Sequence, residues 1–153
     1  MIDEAALAAA MAEPDPSSLG AAGRLRASFG PEVAAWALTQ AALRRRGRAK
    51  FARADDMLFT HDGLEQATRD PVRRWRAARF VAADVRAVWD LGCGIGADAM
   101  AFAEAGLAVH AVDADPATVE VASWNLGLVG AGPAAVARAE EMEVPPADGV
   151  FLD

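Results

Sequence analysis

The chain has 153 residues, 54% of them hydrophobic and 24% charged, which gives room for one globular domain with a substantial core and argues against a disordered polymer. No apolar run approaches the roughly 18 residues of a membrane span, and the N-terminus opens on Ile2-Asp3-Glu4 rather than on a basic signal region. A single cysteine makes neither an internal disulfide nor a thiolate metal cluster, so a cytoplasmic protein with no metal and no membrane anchor is expected.

The net charge of -7 is laid out unevenly. Fourteen of the fifteen basic residues fall between Arg24 and Arg86, against seven acidic ones, whereas Ala87 to Asp153 holds Arg138 alone against eleven acids. This split predicts a basic surface beside an acidic unit; a basic stretch of this kind either contacts a polyanion or is a solvated helical face.

In chain order, Ile2 to Ala12 reads as an alanine-rich helix stopped by the linker Glu13-Pro14-Asp15-Pro16-Ser17-Ser18. A second helix is predicted from Pro31 to about Lys50. Pro31 and Glu32 suit its first turn, Val33, Trp36, Ala37 and Leu43 lie near one face, and Arg44-Arg45-Arg46 sits where cations complement the helix dipole. Gly63 to Thr68 is a third helical stretch, and Asp70-Pro71 opens a fourth that runs to about Ala83.

From Val85 onward strands alternate with helices, the signature of a parallel, doubly wound sheet. The predicted strands are Val85 to Leu91, Leu107 to Asp113, Ala134 to Ala139 and Gly149 to Asp153. Between them lie a helix from Ala97 to Ala105, capped by Gly106, and one from Pro116 to about Leu126 with Asp115 as its N-cap. The expected organisation is an N-terminal helical region over 1–84 and a nucleotide-binding half-domain over 85–153.

The turn after the first of these strands carries the chemistry. Gly92, Gly94 and Gly96 let backbone N–H groups approach a ligand at a helix N-terminus, and Asp113, ending the second strand, is placed to accept hydrogen bonds from both hydroxyls of a ribose. Gly92-Cys93-Gly94-Ile95-Gly96-Ala97 also fits the fingerprint of nicotinamide- and flavin-binding folds, so an NAD(P)- or flavin-dependent oxidoreductase is an alternative. Asp90 weighs against it. A carboxylate two residues before the first glycine, in a loop without Lys or Arg, opposes a pyrophosphate and favours a ligand bearing an ammonium and a sulfonium, as S-adenosylmethionine does.

Val88-Trp89-Asp90-Leu91-Gly92-Cys93-Gly94-Ile95-Gly96-Ala97-Asp98 resembles motif I of class I S-adenosylmethionine-dependent methyltransferases, and Val109-His110-Ala111-Val112-Asp113-Ala114-Asp115-Pro116 resembles the acidic motif that follows it. Upstream, Arg48-Ala49-Lys50-Phe51, Met57-Leu58-Phe59-Thr60, Gly63-Leu64-Glu65-Gln66-Ala67-Thr68 and Arg76-Ala77-Ala78-Arg79 resemble bacterial methyltransferases with a C-terminal THUMP-like domain, which are similar to RNA cap guanine-N2 methyltransferases. The resemblance covers about Arg44 to Asp153.

The resemblance implies an α/β, Rossmann-like class I methyltransferase fold, seen here through strands one to four, with S-adenosylmethionine as cofactor and an RNA base as target. It places Asp90 at the methionine ammonium, Gly92, Cys93, Gly94 and Gly96 beneath the cofactor, Asp98 near the methionine moiety, Asp113 on the ribose, and Ala114 and Glu140 at the adenine. Phe59, Thr60, Glu65 and Gln66 are candidates for the cofactor or target pocket. Family members continue past the fourth strand with a motif of the Asp-Pro-Ala-Arg type, so Asp153 is the candidate first residue of the catalytic motif, and weak or absent catalysis is expected of the chain alone.

Cys93 has no adjacent general base and reads as a loop residue rather than a nucleophile. His61 and His110 lack the clustered partners of a metal site. Trp36, Trp75, Trp89 and Trp124 read as packing residues before base-stacking platforms. A non-catalytic module that binds RNA or protein through residues 24–86 is the third reading.

Overall fold

The structure, a computed structural model, describes residues 2–152. Its elements run α1 (Glu4–Ala12), α2 (Leu19–Phe29), α3 (Pro31–Gly47), α4 (His61–Gln66), α5 (Asp70–Ala82), β1 (Ala87–Leu91), α6 (Ala97–Glu104), β2 (Ala108–Asp113), α7 (Pro116–Gly127), β3 (Ala135–Val136), a 3₁₀ turn (Ala139–Glu141) and β4 (Gly149–Leu152).

Helices α1 to α3 pack on one another through small side chains: Ala6, Ala10, Ala34, Ala37 and Ala41 are buried with Leu25, so the helix backbones approach closely. Each helix start is marked chemically. Asp3 accepts from the Ala6 N–H at 2.9 Å, Ser18 accepts from the Ala21 N–H at 3.2 Å, and Gly30, at φ 80°, makes the corner into Pro31 at the head of α3. Helix α2 was not foreseen from the sequence. Ala21 and Leu25 are its only buried residues and Gly20 and Gly23 interrupt it, so it carries almost no apolar stripe for periodicity to detect.

The four strands form one all-parallel sheet in the order β3-β2-β1-β4, a Rossmann-like α/β arrangement. β1 is central. Ala87 to Leu91 pair with Ala108 to Val112 on one side, and Val88 to Leu91 pair with Gly149 to Leu152 on the other. The chain therefore leaves β1 toward β2 and returns later to β1's opposite side, which makes the C-terminal end of the β1–β4 pair a topological switch point, the place where open α/β sheets bind ligands.

The third strand is shorter than the sequence suggested. Only Val112↔Ala135 and Asp113↔Val136 pair, and Ala139 belongs to the 3₁₀ turn rather than to a strand. Both strand residues are exposed, and Val136 is an edge side chain without a covering layer.

Six consecutive residues of α6, Ala97 to Phe102, are buried, because α5, α7 and the sheet all pack around it. A helix enclosed on every side cannot be amphipathic, which explains its run of small and apolar residues. Beyond it, Ala77, Val88, Phe102 and Leu107 form a core with Phe80 and Phe151, with edge-to-face ring contacts between Phe80 and Phe102 and between Phe102 and Phe151. Among the described residues, no helix is long and apolar enough to cross a membrane and no three His, Cys, Asp or Glu side chains cluster to hold a metal ion.

Candidate functional site

The loop between β1 and α6 is shaped by three left-handed glycines. Gly92 (φ 84°), Gly94 (φ 53°) and Gly96 (φ 77°) adopt a conformation that costs an L-residue roughly 1–2 kcal/mol each. Gly92 and Cys93 both donate to the Val112 carbonyl, at 2.9 and 2.8 Å, which ties the loop to the end of β2. The glycines serve two purposes. A Cβ on Gly92 or Gly94 would enter open space, whereas a Cβ on Gly96 would press at 3.4 Å on Ala122 of α7. Gly96 thus permits helix packing, and Gly92 and Gly94 leave a cradle at the switch point.

A cavity of about 250 Å³ opens there, lined by Asp90, Gly92, Cys93, Gly94 and Asp98 from the β1–α6 region and by Gln66 and Thr68 from the opposite wall. Asp90, 2% exposed, is the penultimate residue of the central strand; Asp98, 8% exposed, lies in the first turn of α6 and accepts from Arg76 at 3.1 Å. Asp113 stands at the rim rather than on the lining. Its Oδ2 accepts from the Gly94 N–H and its Oδ1 from the Asp115 N–H, both at 3.0 Å, so it fixes the loop while each oxygen keeps a second lone pair for a ligand.

The segment that leads into α4, and so to the Gln66–Thr68 wall, is held by side chains that take the place of a backbone partner. Asn125 of α7, fully buried, accepts from the Leu58 N–H at 2.8 Å and donates to the Leu58 and Ile95 carbonyls at 2.9 and 2.8 Å. Gln40 of α3 does the same one residue on, accepting from Phe59 N–H and donating to its carbonyl, and Arg44 donates to the Met57 carbonyl. Residues 57–59 belong to neither helix nor strand, and these side chains satisfy their backbone groups instead. Thr60 then caps α4, accepting from the Gly63 N–H at 2.9 Å, and Lys50 Nζ closes the other end by donating to the Leu64, Glu65 and Ala67 carbonyls. Gly63 lies directly on Ile95, where any Cβ would overlap.

Several candidates from the sequence fall elsewhere. Phe59 is buried in the core against Phe51 at 5.8 Å between ring centroids, so its ring lines no cavity. Glu65 is exposed and paired with Arg46 at 3.3 Å. Ala114 is exposed beyond β2, and Glu140 sits on the exposed 3₁₀ turn, where its own backbone N–H first and then Arg138 hold its carboxyl below the usual range. Asp153 lies outside the described residues. Trp75 is a correction to the packing assignment: it is 59% exposed, with the Arg79 guanidinium 4.9 Å from its ring centroid. Trp89 stacks on His110 at 4.4 Å, and Trp124 donates to the Asp56 carbonyl.

Sequence reasoning did not assign Ile95, Thr68 or Phe151 to the cavity. Phe151 was accessible from register alone, because it pairs with Asp90 and paired residues of parallel strands face the same side. Two buried arginines left no such signal. Arg73, 1% exposed, is paired with Asp70 and donates to the Ala97 carbonyl at 2.6 Å, anchoring α6; Arg44 is described above.

Burial, and then the charges of Asp90 and Asp113, push the Cys93 thiol well up from its ordinary value. The protonated form persists through the neutral range, so alkylation by N-ethylmaleimide at pH 8 should run on the order of a hundredfold slower than for free cysteine, and at the ordinary rate once guanidinium unfolds the chain. A native rate matching the unfolded one would mean that the loop does not hold Cys93 as described.

Comparison with known proteins bears on this site. Residues 4–47 match a family model described as a domain of unknown function, DUF8688. Two curated proteins, from the CDC 1551 / Oshkosh and H37Rv strains of Mycobacterium tuberculosis, are each 39% identical over 114 residues, covering 69% of this chain. Both are named as uncharacterized S-adenosylmethionine-dependent methyltransferases. The chain spans 30% of the length of these relatives.

Proposed function

We propose that the chain supplies the S-adenosylmethionine-binding part of a class I methyltransferase, with the cofactor's amino-acid end between Asp90 and Asp98 and its ribose at Asp113. The observation that carries this reading is the chemistry of the cavity at the switch point: two carboxylates and no Lys or Arg among its lining residues, beside a glycine cradle that any Cβ would invade. Asp98 is offset by its ion pair with Arg76, so Asp90 carries the distinction: a pyrophosphate would set negative charge against it, whereas an ammonium and a sulfonium complement it. The names of the Mycobacterium relatives support the same assignment.

When bound, the cofactor supplies a methyl group made electrophilic by the sulfonium. The chain's residues bind and orient it. Asp90 receives the ammonium, Gly92 and Gly94 admit the chain of the ligand close to the backbone, and Asp113 receives the ribose hydroxyls while continuing to hold Gly94. The cavity is smaller than the roughly 300–1,000 Å³ of whole small-molecule sites, so the adenosine extends outward over the Asp113 rim, with the adenine on the exposed Ala114. Glu140 is not needed in this arrangement.

In this reading residues 1–84 form a helical region and 85–153 the cofactor-binding unit. The target is a nucleic-acid base, most simply in RNA, approached across the basic segment 24–86, and Asp153 orients its amino group so that proximity supplies most of the acceleration. Isothermal titration tests the central point. S-adenosylhomocysteine should bind at least about tenfold tighter than NAD, as differential charge complementarity of about 1.4 kcal/mol or more requires. Binding of NAD without S-adenosylhomocysteine would transfer the site to the oxidoreductase reading.

A further inference from the structure

Arg76 of α5 joins three parts of the cavity that come from separate elements. Its Nη1 donates to the Thr68 hydroxyl at 3.0 Å, in the connection between α4 and α5, and to Asp98 Oδ1 at 3.1 Å, in α6. Its guanidinium also lies over the Phe151 ring of β4, 5.0 Å from the centroid. Thr68, Asp98 and Phe151 all line the cavity, while Arg76 itself stands behind them and is not among the lining residues. Arginine suits this task because its planar fork presents several donors at fixed angles and its face stacks on an aromatic ring; lysine has one flexible cation and no stacking plane.

We propose that Arg76 is a positioning residue for the amino-acid end of the cofactor, acting through Thr68, Asp98 and Phe151, a proposal that rests on the assignment of the cavity to S-adenosylmethionine. Without Arg76, the Asp98 carboxylate at the buried end of the cavity loses a charge-assisted bond, the Thr68 hydroxyl loses the donor that orients it, and Phe151 loses the cation held against its face. All three changes fall on the walls around the amino-acid arm. None falls on Asp113, whose partners are the Gly94 and Asp115 N–H groups, so the ribose end keeps its geometry.

The division gives the proposal a measurable signature. Two probes differ in whether they carry the amino-acid arm: S-adenosylhomocysteine has it, and 5′-methylthioadenosine has the nucleoside and sulfur without it. Titration of wild type, Arg76→Met and Arg76→Lys with both should give a loss of about tenfold in S-adenosylhomocysteine affinity for Arg76→Met, the size of one charge-assisted hydrogen bond. Arg76→Lys should recover part of that loss, and 5′-methylthioadenosine affinity should stay within about twofold in all three.

Thermal melting run in parallel shows whether the variants fold. Should Arg76→Met fail to fold, Thr68→Val carries the test: it must selectively weaken S-adenosylhomocysteine, and its effect must shrink in the Arg76→Lys background. Equal weakening of both probes would make Arg76 a general structural residue and overturn the proposal, as would unchanged affinity for both. Wild type that binds neither probe would instead remove the cofactor assignment, an outcome read before any variant is made.

Discussion

Replacing Asn125 with leucine should destabilise the chain by about 4 kcal/mol, because the buried Leu58 N–H, Leu58 carbonyl and Ile95 carbonyl would each lose their partner at about 1–3 kcal/mol apiece, reduced by relaxation. Leucine has the same branching and number of side-chain heavy atoms as asparagine and somewhat more volume, so no cavity is created; the main cost is that of stranded backbone polar groups. Urea titration is the measurement, with the midpoint falling and the slope unchanged. Asn125→Asp should be at least as harmful, since it keeps the acceptor for Leu58 N–H but brings a carboxylate against two carbonyl oxygens. A Leu variant within about 1 kcal/mol of wild type would mean that residues 57–59 are held by something other than this amide.

Asp90→Asn should weaken S-adenosylmethionine and S-adenosylhomocysteine by about 10- to 100-fold, the range of a charge-assisted hydrogen bond of about 1.5–3 kcal/mol. The side chain sits 2% exposed near the end of the central strand and faces the cavity, so the amide keeps its shape while losing its charge. Urea titration of the variant beside wild type shows whether the fold is retained. This separates loss of ligand from loss of fold. Under the dinucleotide reading the same variant should bind NAD more tightly, so titration with both ligands distinguishes the two assignments. An unaltered affinity for S-adenosylhomocysteine would take Asp90 out of the site.

The parts of the structure that sequence reasoning reached share a property: their signals are local. Gly92, Gly94 and Gly96 mark a turn because only glycine adopts its angles cheaply, and all three have positive φ. Asp115 is legible as an N-cap from its place before Pro116, and it accepts from the Ala117 and Thr118 N–H groups. The Thr118 hydroxyl and then its N–H hold that carboxyl below the usual range. The alternation of strands and helices after Val85 is legible for the same reason.

What escaped sequence reasoning depends on partners distant in the chain. Asn125 and Gln40 look like ordinary polar helix residues, and nothing near them indicates that the backbone they satisfy lies 67 and 19 residues away. Arg73 and Arg76 contribute to an apparently solvated basic face, yet the first is 1% exposed and the second bonds into the cavity wall. Phe59 drew attention through its place in a family-like block, but Gly47 lets its ring into the core, where a Cβ on that glycine would lie 2.9 Å from the ring. The brevity of β3 follows from the exposure of both its residues: no burial rewards a longer pairing.

The doubled amide clamp on residues 57–59 also governs how the molecule comes apart. One jaw belongs to a helix of the N-terminal region and the other to the crossover between the second and third strands, so melting either helix releases the same short segment and exposes the neighbouring jaw's polar groups. A single cooperative transition spanning the charge boundary near Arg86 is the expected result of a denaturant melt followed by probes on both sides of it.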